Sequence, residues 1–210
     1  MPSSQVHNLL TILQRLALPI VTAESCTSGL LASALTSRPT APSILLGGIT
    51  SYSTLFKAKT LGVPASILDT SQGGPGDVSA ECASAMARGV LRHSGLLEPS
   101  EDRQFKFGVL LERGQGIGIS TTGYLDSVPE GESEKRIGEV WIGCSWVFKG
   151  KHGERVEQIY VGDVEGKQEE DQDKSDANRE ERKRHVVKRA VDLVLDVVTE
   201  LESVEKGKHE

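Results

Sequence analysis

TAESCTSG, residues 22–29, follows the compact β-branched run PIVTA and precedes a Leu- and Ala-rich segment that Pro39 stops. A short β-branched run reads as a buried strand, and the segment from Thr27 to about Ser37 reads as a helix. The octet is therefore the tight turn of a strand–turn–helix unit. In layered α/β proteins the crevice beyond the carboxyl ends of the strands is the preferred ligand site. Ser25 sits in that turn. By itself a serine between strand and helix reads as an N-cap, and its alternative role is that of a nucleophile.

The rest of the chain extends this unit. Val6, Leu9, Leu10, Leu13 and Leu16 recur at helical spacing, with Ser3 or Ser4 as N-cap and Pro19 ending the helix. SILLGGITSYS predicts a second strand, whose two glycines suggest a bulge or a close backbone approach. Ser53 is placed to cap a short helix, TLFKAKTL, closed by Gly62 with Pro64 beyond it. After the turn-rich SQGGPGD, Asp77 or Ser79 caps a helix from about Ala80 to His93. FKFGVLLE and IGISTT predict strands, and YLDSVPEGESEKR a loop. GEVWIGCSWVF and ERVEQIYVG predict a hairpin around KGKHG. Residues 164–178 are acidic and lack apolar content, so they are expected to be a solvated or disordered insertion before a last helix over about Arg179–Val204. Helices between early strands and an antiparallel pair late predict a single α/β domain over residues 1–210, a three-layer sandwich with a mixed sheet.

Composition narrows the function classes. A net charge of −6 over 210 residues gives no basic surface for nucleic acid or anionic membrane. No apolar run is long enough to span a bilayer. The three cysteines, Cys26, Cys82 and Cys144, cannot all pair, and no Cys/His cluster has zinc spacing. The expectation is a cytoplasmic protein without metal or cofactor. Cys26 lacks a His/Asn arrangement that would activate it and reads as a small buried thiol. His93, His152 and His185 sit in polar contexts without ligand spacing.

AESCTSG (23–29), GGITSYSTLFK (47–57) and LGV (61–63) resemble, in order and spacing, the pattern A-E-S-C-T-G-G, G-G-x-x-x-Y-S-N-x-x-K, L-G-V of the CinA C-terminal family (competence- and damage-inducible protein A). Downstream, DVSAECASAMARG, EKRIGEVWIG and REERKRHVVKRAVDLVL resemble further elements of that family. The resemblance implies hydrolysis of nicotinamide mononucleotide to nicotinic acid mononucleotide and ammonia without a metal. By the motif match Ser25 is the nucleophile, and Lys57 and Tyr52 complete its activation. Thr27, Gly29, Gly48, Thr54, Thr122 and Gly123 are the matching substrate-side positions, and a homodimer or higher homo-oligomer is implied. The N–H groups at the start of the helix after Ser25 would stabilise an oxyanion or a phosphate. The chain departs from the family in four places. TGYLDSVP stands for T-G-I-A-G-P-G-G, Thr54 for Asn and Ser28 for the first Gly of the C-T-G-G run, while LLERGQG and residues 164–178 are extra. The alternative reading is a non-catalytic member that keeps the fold as a nucleotide-binding or oligomerising module.

Overall fold

The computed structural model describes residues 3–37, 44–96, 114–162 and 172–206. Strand β1 (Ile20–Glu24) is buried along its whole length. β2 (Leu45–Thr50) and β3 (Gly116–Gly123) pair with it in parallel, one on each side. β4 (Glu139–Phe148) runs antiparallel to β3, and β5 (Lys151–Tyr160) antiparallel to β4, giving the order β2-β1-β3-β4-β5. The sheet is mixed, as the sequence predicts. Ile20 pairs with Leu45 but Val21 with Gly47, so the glycine-containing strand carries the expected irregularity.

The alternation along β1 divides the core. Ile20 belongs to an apolar cluster with helix α1 (Ser3–Arg15), α2 (Leu30–Leu35) and α6 (Gln172–Lys206). Val21 and Ala23 face a second cluster formed with α3 (Thr54–Leu61) and α5 (Ala80–His93). A short helix, α4 (Ala65–Leu68), connects those two. The result is a three-layer α/β/α sandwich. α1 places Val6, Leu9, Leu10 and Leu13 on its buried face, opposite Val187, Ala190, Val194 and Val197 of α6.

Few aromatics are needed because small residues let α5 settle directly on the sheet. A Cβ on Gly118 would lie 2.2 Å from Ala87 O, and one on Gly143 would lie 2.4 Å from Ala83 O. Between them Ser120 Oγ donates to Ala83 O at 2.6 Å. This seat fixes the N-terminal end of α5, and Asp77 just before it, beside the carboxyl end of β3.

Three local differences from the sequence reading have physical causes. α1 begins at Ser3, inside the helix rather than at its cap. α2 begins at Leu30, not Thr27, because Ser28 (φ 54°) and Gly29 (φ 95°) adopt consecutive left-handed conformations that no helix continues. α6 begins at Gln172, so the last seven residues of the acidic run, 172–178, are helical and Asn178 is already buried. The rest of that run, and the expected strand FKFGVLLE, lie outside the described residues.

Candidate active site

The carboxyl ends of the three parallel strands meet at one edge. Ser25 N–H donates to Thr121 O at 2.9 Å, which keeps the chain on β3 for one residue beyond β1. Ser51 N–H donates to Glu24 O at 2.7 Å, so Tyr52 leaves β2 at the same level. Ser25 is 6% exposed, and its Oγ makes no hydrogen bond among the described residues.

Glu24 organises the turn that follows. Its side chain is buried, and Oε2 accepts from Gly29 N (2.9 Å), Leu31 N (3.0 Å) and Thr27 Oγ1 (2.7 Å). Oε1 accepts from Ala32 N (2.8 Å) and Thr22 Oγ1 (3.3 Å). The carboxylate thus serves as an internal cap for α2, satisfying N–H groups that a helix start leaves open. This corrects the sequence reading: those N–H groups are spent inside the chain. The Thr27 N–H, two residues nearer Ser25 than Gly29, has no acceptor among the described residues. Thr27 Oγ1 also pairs with Thr121 Oγ1 at 2.8 Å, tying the turn to β3.

Lys57 is fully buried on α3, whose N-cap is Ser53 as expected. Its Nζ donates to Asp77 Oδ2 at 2.9 Å, Asp77 O at 3.1 Å and Thr122 Oγ1 at 3.0 Å. Thr122 Oγ1 in turn donates to Asp77 O at 2.6 Å. An ammonium has three donors, and all three are used here. A charge removed so completely from water persists only when paired, and Asp77 supplies the pairing. Ser79, not Asp77, caps α5, with Ser79 Oγ accepting from Cys82 N at 3.1 Å. No hydrogen bond joins Lys57 to Ser25 or Tyr52, but the Lys57 charge does reach the Cys26 and Cys82 thiols. Burial pushes the Cys26 thiol up to about 12, outweighing its hydrogen bond with Thr121 and the Lys57 charge. A thiol held in its neutral form is a poor nucleophile.

Tyr52 is 64% exposed. Its hydroxyl accepts from Arg179 Nη2 on α6 at 3.4 Å, and Arg179 Nη1 is ion-paired with Asp126 Oδ1. Asp126 belongs to the loop after β3. Leu125 is buried in the core, and its carbonyl accepts from Arg182 Nη1 at 2.8 Å. Arg136 braces the same loop. It lies 5.1 Å from the Tyr124 ring centroid, bonds Glu132 and Glu139, and donates to Val78 O. Burial alone would raise Glu139, but hydrogen bonds from Arg136, Trp141 and Gln158 outweigh it and hold the carboxyl below its ordinary range.

The remaining sequence candidates are spread out. Gly123 packs on β4, where a Cβ would lie 2.6 Å from Val140 Cγ2. Thr54 is the exposed first residue of α3. Gly48 is mid-strand, and it lines a groove of about 280 Å³ with Leu46, Val90 and His93 at the far end of α5. His93, His152 and His185 are exposed. The structure therefore places Ser25, Thr27, Lys57 and Thr122 together at the carboxyl ends of the parallel strands, where Tyr52 is exposed. Glu24, Asp77, Asp126 and Arg179 join them. Only Glu24 had a local signal, a carboxylate five residues before a glycine at a helix start; the others reach the site from distant parts of the chain. No group of three or more His, Cys, Asp or Glu among the described residues could hold a metal ion, and no described helix is long and apolar enough to cross a membrane.

Fold and strand-end residues together define an α/β/α protein with a serine turn and a buried, paired lysine. Residues 3–96 match the CinA C-terminal domain. A CinA-like protein of Mycobacterium marinum is 46% identical over 76 residues, 36% of this chain and 17% of that protein. A CinA-like protein of Desulfotalea psychrophila is 32% identical over 149 residues, 67% of this chain and 30% of that protein. The chain spans less than a third of the length of either relative. Among solved structures, a competence-damaged protein (CinA) superfamily protein from Klebsiella pneumoniae superposes with a TM-score of 0.66 at 21% identity. That superposition covers 94% of this chain and 98% of the other, and it establishes the fold.

Proposed function

We propose that the chain is a serine amidohydrolase acting on the carboxamide of a nicotinamide nucleotide or a close relative. The observation that carries this reading is the buried Lys57, held by Asp77 and Thr122 at the strand edge it shares with Ser25. A serine needs a base, and serine–lysine pairs are an established alternative to serine–histidine. As an ammonium, Lys57 has no lone pair to offer. The 2.9 Å bond to Asp77 favours that ammonium, so Lys57 acts as a base only after one proton passes from Nζ to the carboxylate, leaving a neutral amine beside a carboxylic acid. The amine takes the Ser25 hydroxyl proton as Oγ attacks the carboxamide carbon. The Thr27 N–H donates to the developing oxyanion. Lys57 then returns the proton to the leaving nitrogen, ammonia departs, and water hydrolyses the ester in a second round of the same transfers. Tyr52 packs at the rim and orients the substrate ring.

The test is ammonia release from nicotinamide mononucleotide and from nicotinamide riboside by purified protein, beside Ser25→Ala and Lys57→Ala. Turnover by the wild type and its loss in both variants is the expected result. No turnover on either compound would sink the proposal. The saturated bonding of Lys57 favours one second reading, a non-catalytic nucleotide-binding or oligomerising module, and that reading predicts binding without turnover.

Self-association and a cytoplasmic setting belong to the same proposal. Tyr52, Leu55 and Phe56 are large exposed apolar side chains on consecutive surface around the start of α3, a patch suited to a second copy. A reducing compartment keeps the three free thiols unpaired.

A further inference from the structure

Arg179 reaches the rim of the crevice through Tyr52, yet its guanidinium is already engaged by a carboxylate of the same chain. The pairing is general at this end of the sheet. Lys57 is matched by Asp77, Arg136 by Glu132 and Glu139, and Arg179 by Asp126. Arg182 bonds the Leu125 carbonyl, and Lys183 pairs with Glu180. A phosphate entering here meets cations already engaged by groups of the same chain, and it meets the Asp126 carboxylate as a like charge. Asp126 is not a chance surface residue. Leu125 beside it is anchored in the core, and Arg182 fixes the carbonyl between them.

Resting on the amidohydrolase reading, we infer that Asp126 is a specificity-determining residue that closes Arg179 against anionic ligands. The site then takes an uncharged carboxamide in preference to its phosphorylated form. A mononucleotide must displace Asp126 from Arg179 before its phosphate gains a partner, whereas the corresponding nucleoside leaves that ion pair intact. Asp126 touches no reacting atom and acts on binding, not on the chemical step.

The experiment compares wild type, Asp126→Asn and the double variant Asp126→Asn/Arg179→Gln. Titrations use nicotinamide mononucleotide, nicotinamide riboside and inorganic phosphate, with thermal melting as the check on folding. Wild type is expected to bind the riboside at least as tightly as the mononucleotide. Asp126→Asn tightens mononucleotide and phosphate binding by roughly fivefold to tenfold, the scale of a partly exposed ion pair plus a like-charge repulsion. It leaves the riboside unchanged, and the gain disappears in the double variant. Wild type favouring the mononucleotide tenfold or more, or a folded Asp126→Asn with no gain for either phosphate-bearing probe, overturns the inference. A phosphate gain without hydrolysis of any carboxamide overturns the proposed function and leaves the role of Asp126 standing.

Discussion

Replacing Glu24 by Gln tests whether its carboxylate holds the serine turn together. The carboxylate accepts five hydrogen bonds, three of them from backbone N–H groups of Gly29, Leu31 and Ala32. A glutamine retains one carbonyl oxygen. Its best placement is on the Oε2 side, keeping Gly29, Leu31 and Thr27. Its NH₂ then faces the Ala32 N–H, donor against donor, while the Thr22 hydroxyl turns to accept. One buried N–H is orphaned, which costs about 1–3 kcal/mol, and the three retained bonds each fall from charge-assisted to neutral strength, about 0.5–1 kcal/mol apiece. The sum is about 2.5–6 kcal/mol, a large share of the 5–15 kcal/mol typical of a domain. Urea unfolding followed by circular dichroism at neutral pH reads this directly. With a slope near 2 kcal/mol/M the midpoint falls by about 1.2–3 M and the slope is unchanged. A loss below about 1 kcal/mol would refute the internal-cap account, because a solvated turn would tolerate the substitution.

Three further outcomes follow from the same contacts. Asp77→Asn leaves the buried Lys57 charge with a neutral partner; since Asp77 is partly exposed the expected loss is about 1–3 kcal/mol in thermal or urea unfolding, and a neutral result would contradict the ion pair. Gly89→Ala sets two effects against each other, because alanine favours a helix by about 1 kcal/mol but its Cβ would lie 2.0 Å from Leu61 O, so net destabilisation of about 1–2 kcal/mol is expected and a stabilised variant would mean that α3 and α5 separate freely. Burial raises Cys26, Cys82 and Cys144 from 9.0 to about 12, 11 and 12. Above pH 9 the unfolded chain loses thiol protons that the folded one keeps, so the stability these thiols contribute is complete below pH 9 and is lost as pH rises toward 11–12. Unfolding midpoints measured from pH 8 to 10.5 should fall, and a thiol-reactive dye at pH 8 should label all three only after denaturation.

Much of the fold was legible because it is written locally. The PIVTA strand, the Ser53 and Ser79 caps, the Gly62 stop and the glycine irregularity of β2 each depend on residues within a few positions. The crevice was legible to the level of Ser25 and Thr122 at strand ends. What escaped is long-range. Lys57 looks like a surface lysine on a short helix until Asp77 and Thr122, 20 and 65 residues away, close around it. The Asp126–Arg179 pair spans 53 residues and a segment with no apolar pattern. The start of α2 differs for another reason: Ser28 takes a left-handed conformation that glycine or asparagine usually signals, so the turn runs on to Gly29 where the residue types suggested a helix from Thr27. Of the acidic run, the described residues 172–178 are helical, which went unread because a charged, apolar-free sequence carries no helical periodicity.

The central claim is that Ser25 Oγ forms the bond to the carboxamide carbon. Rapid quenching of wild-type protein with nicotinamide riboside or its mononucleotide, followed by peptide mapping, tests it most directly. The predicted result is an adduct on Ser25 with the mass of the substrate less ammonia, absent from Ser25→Ala. Ammonia release that persists in Ser25→Ala, or an adduct on Cys26 instead, would contradict it.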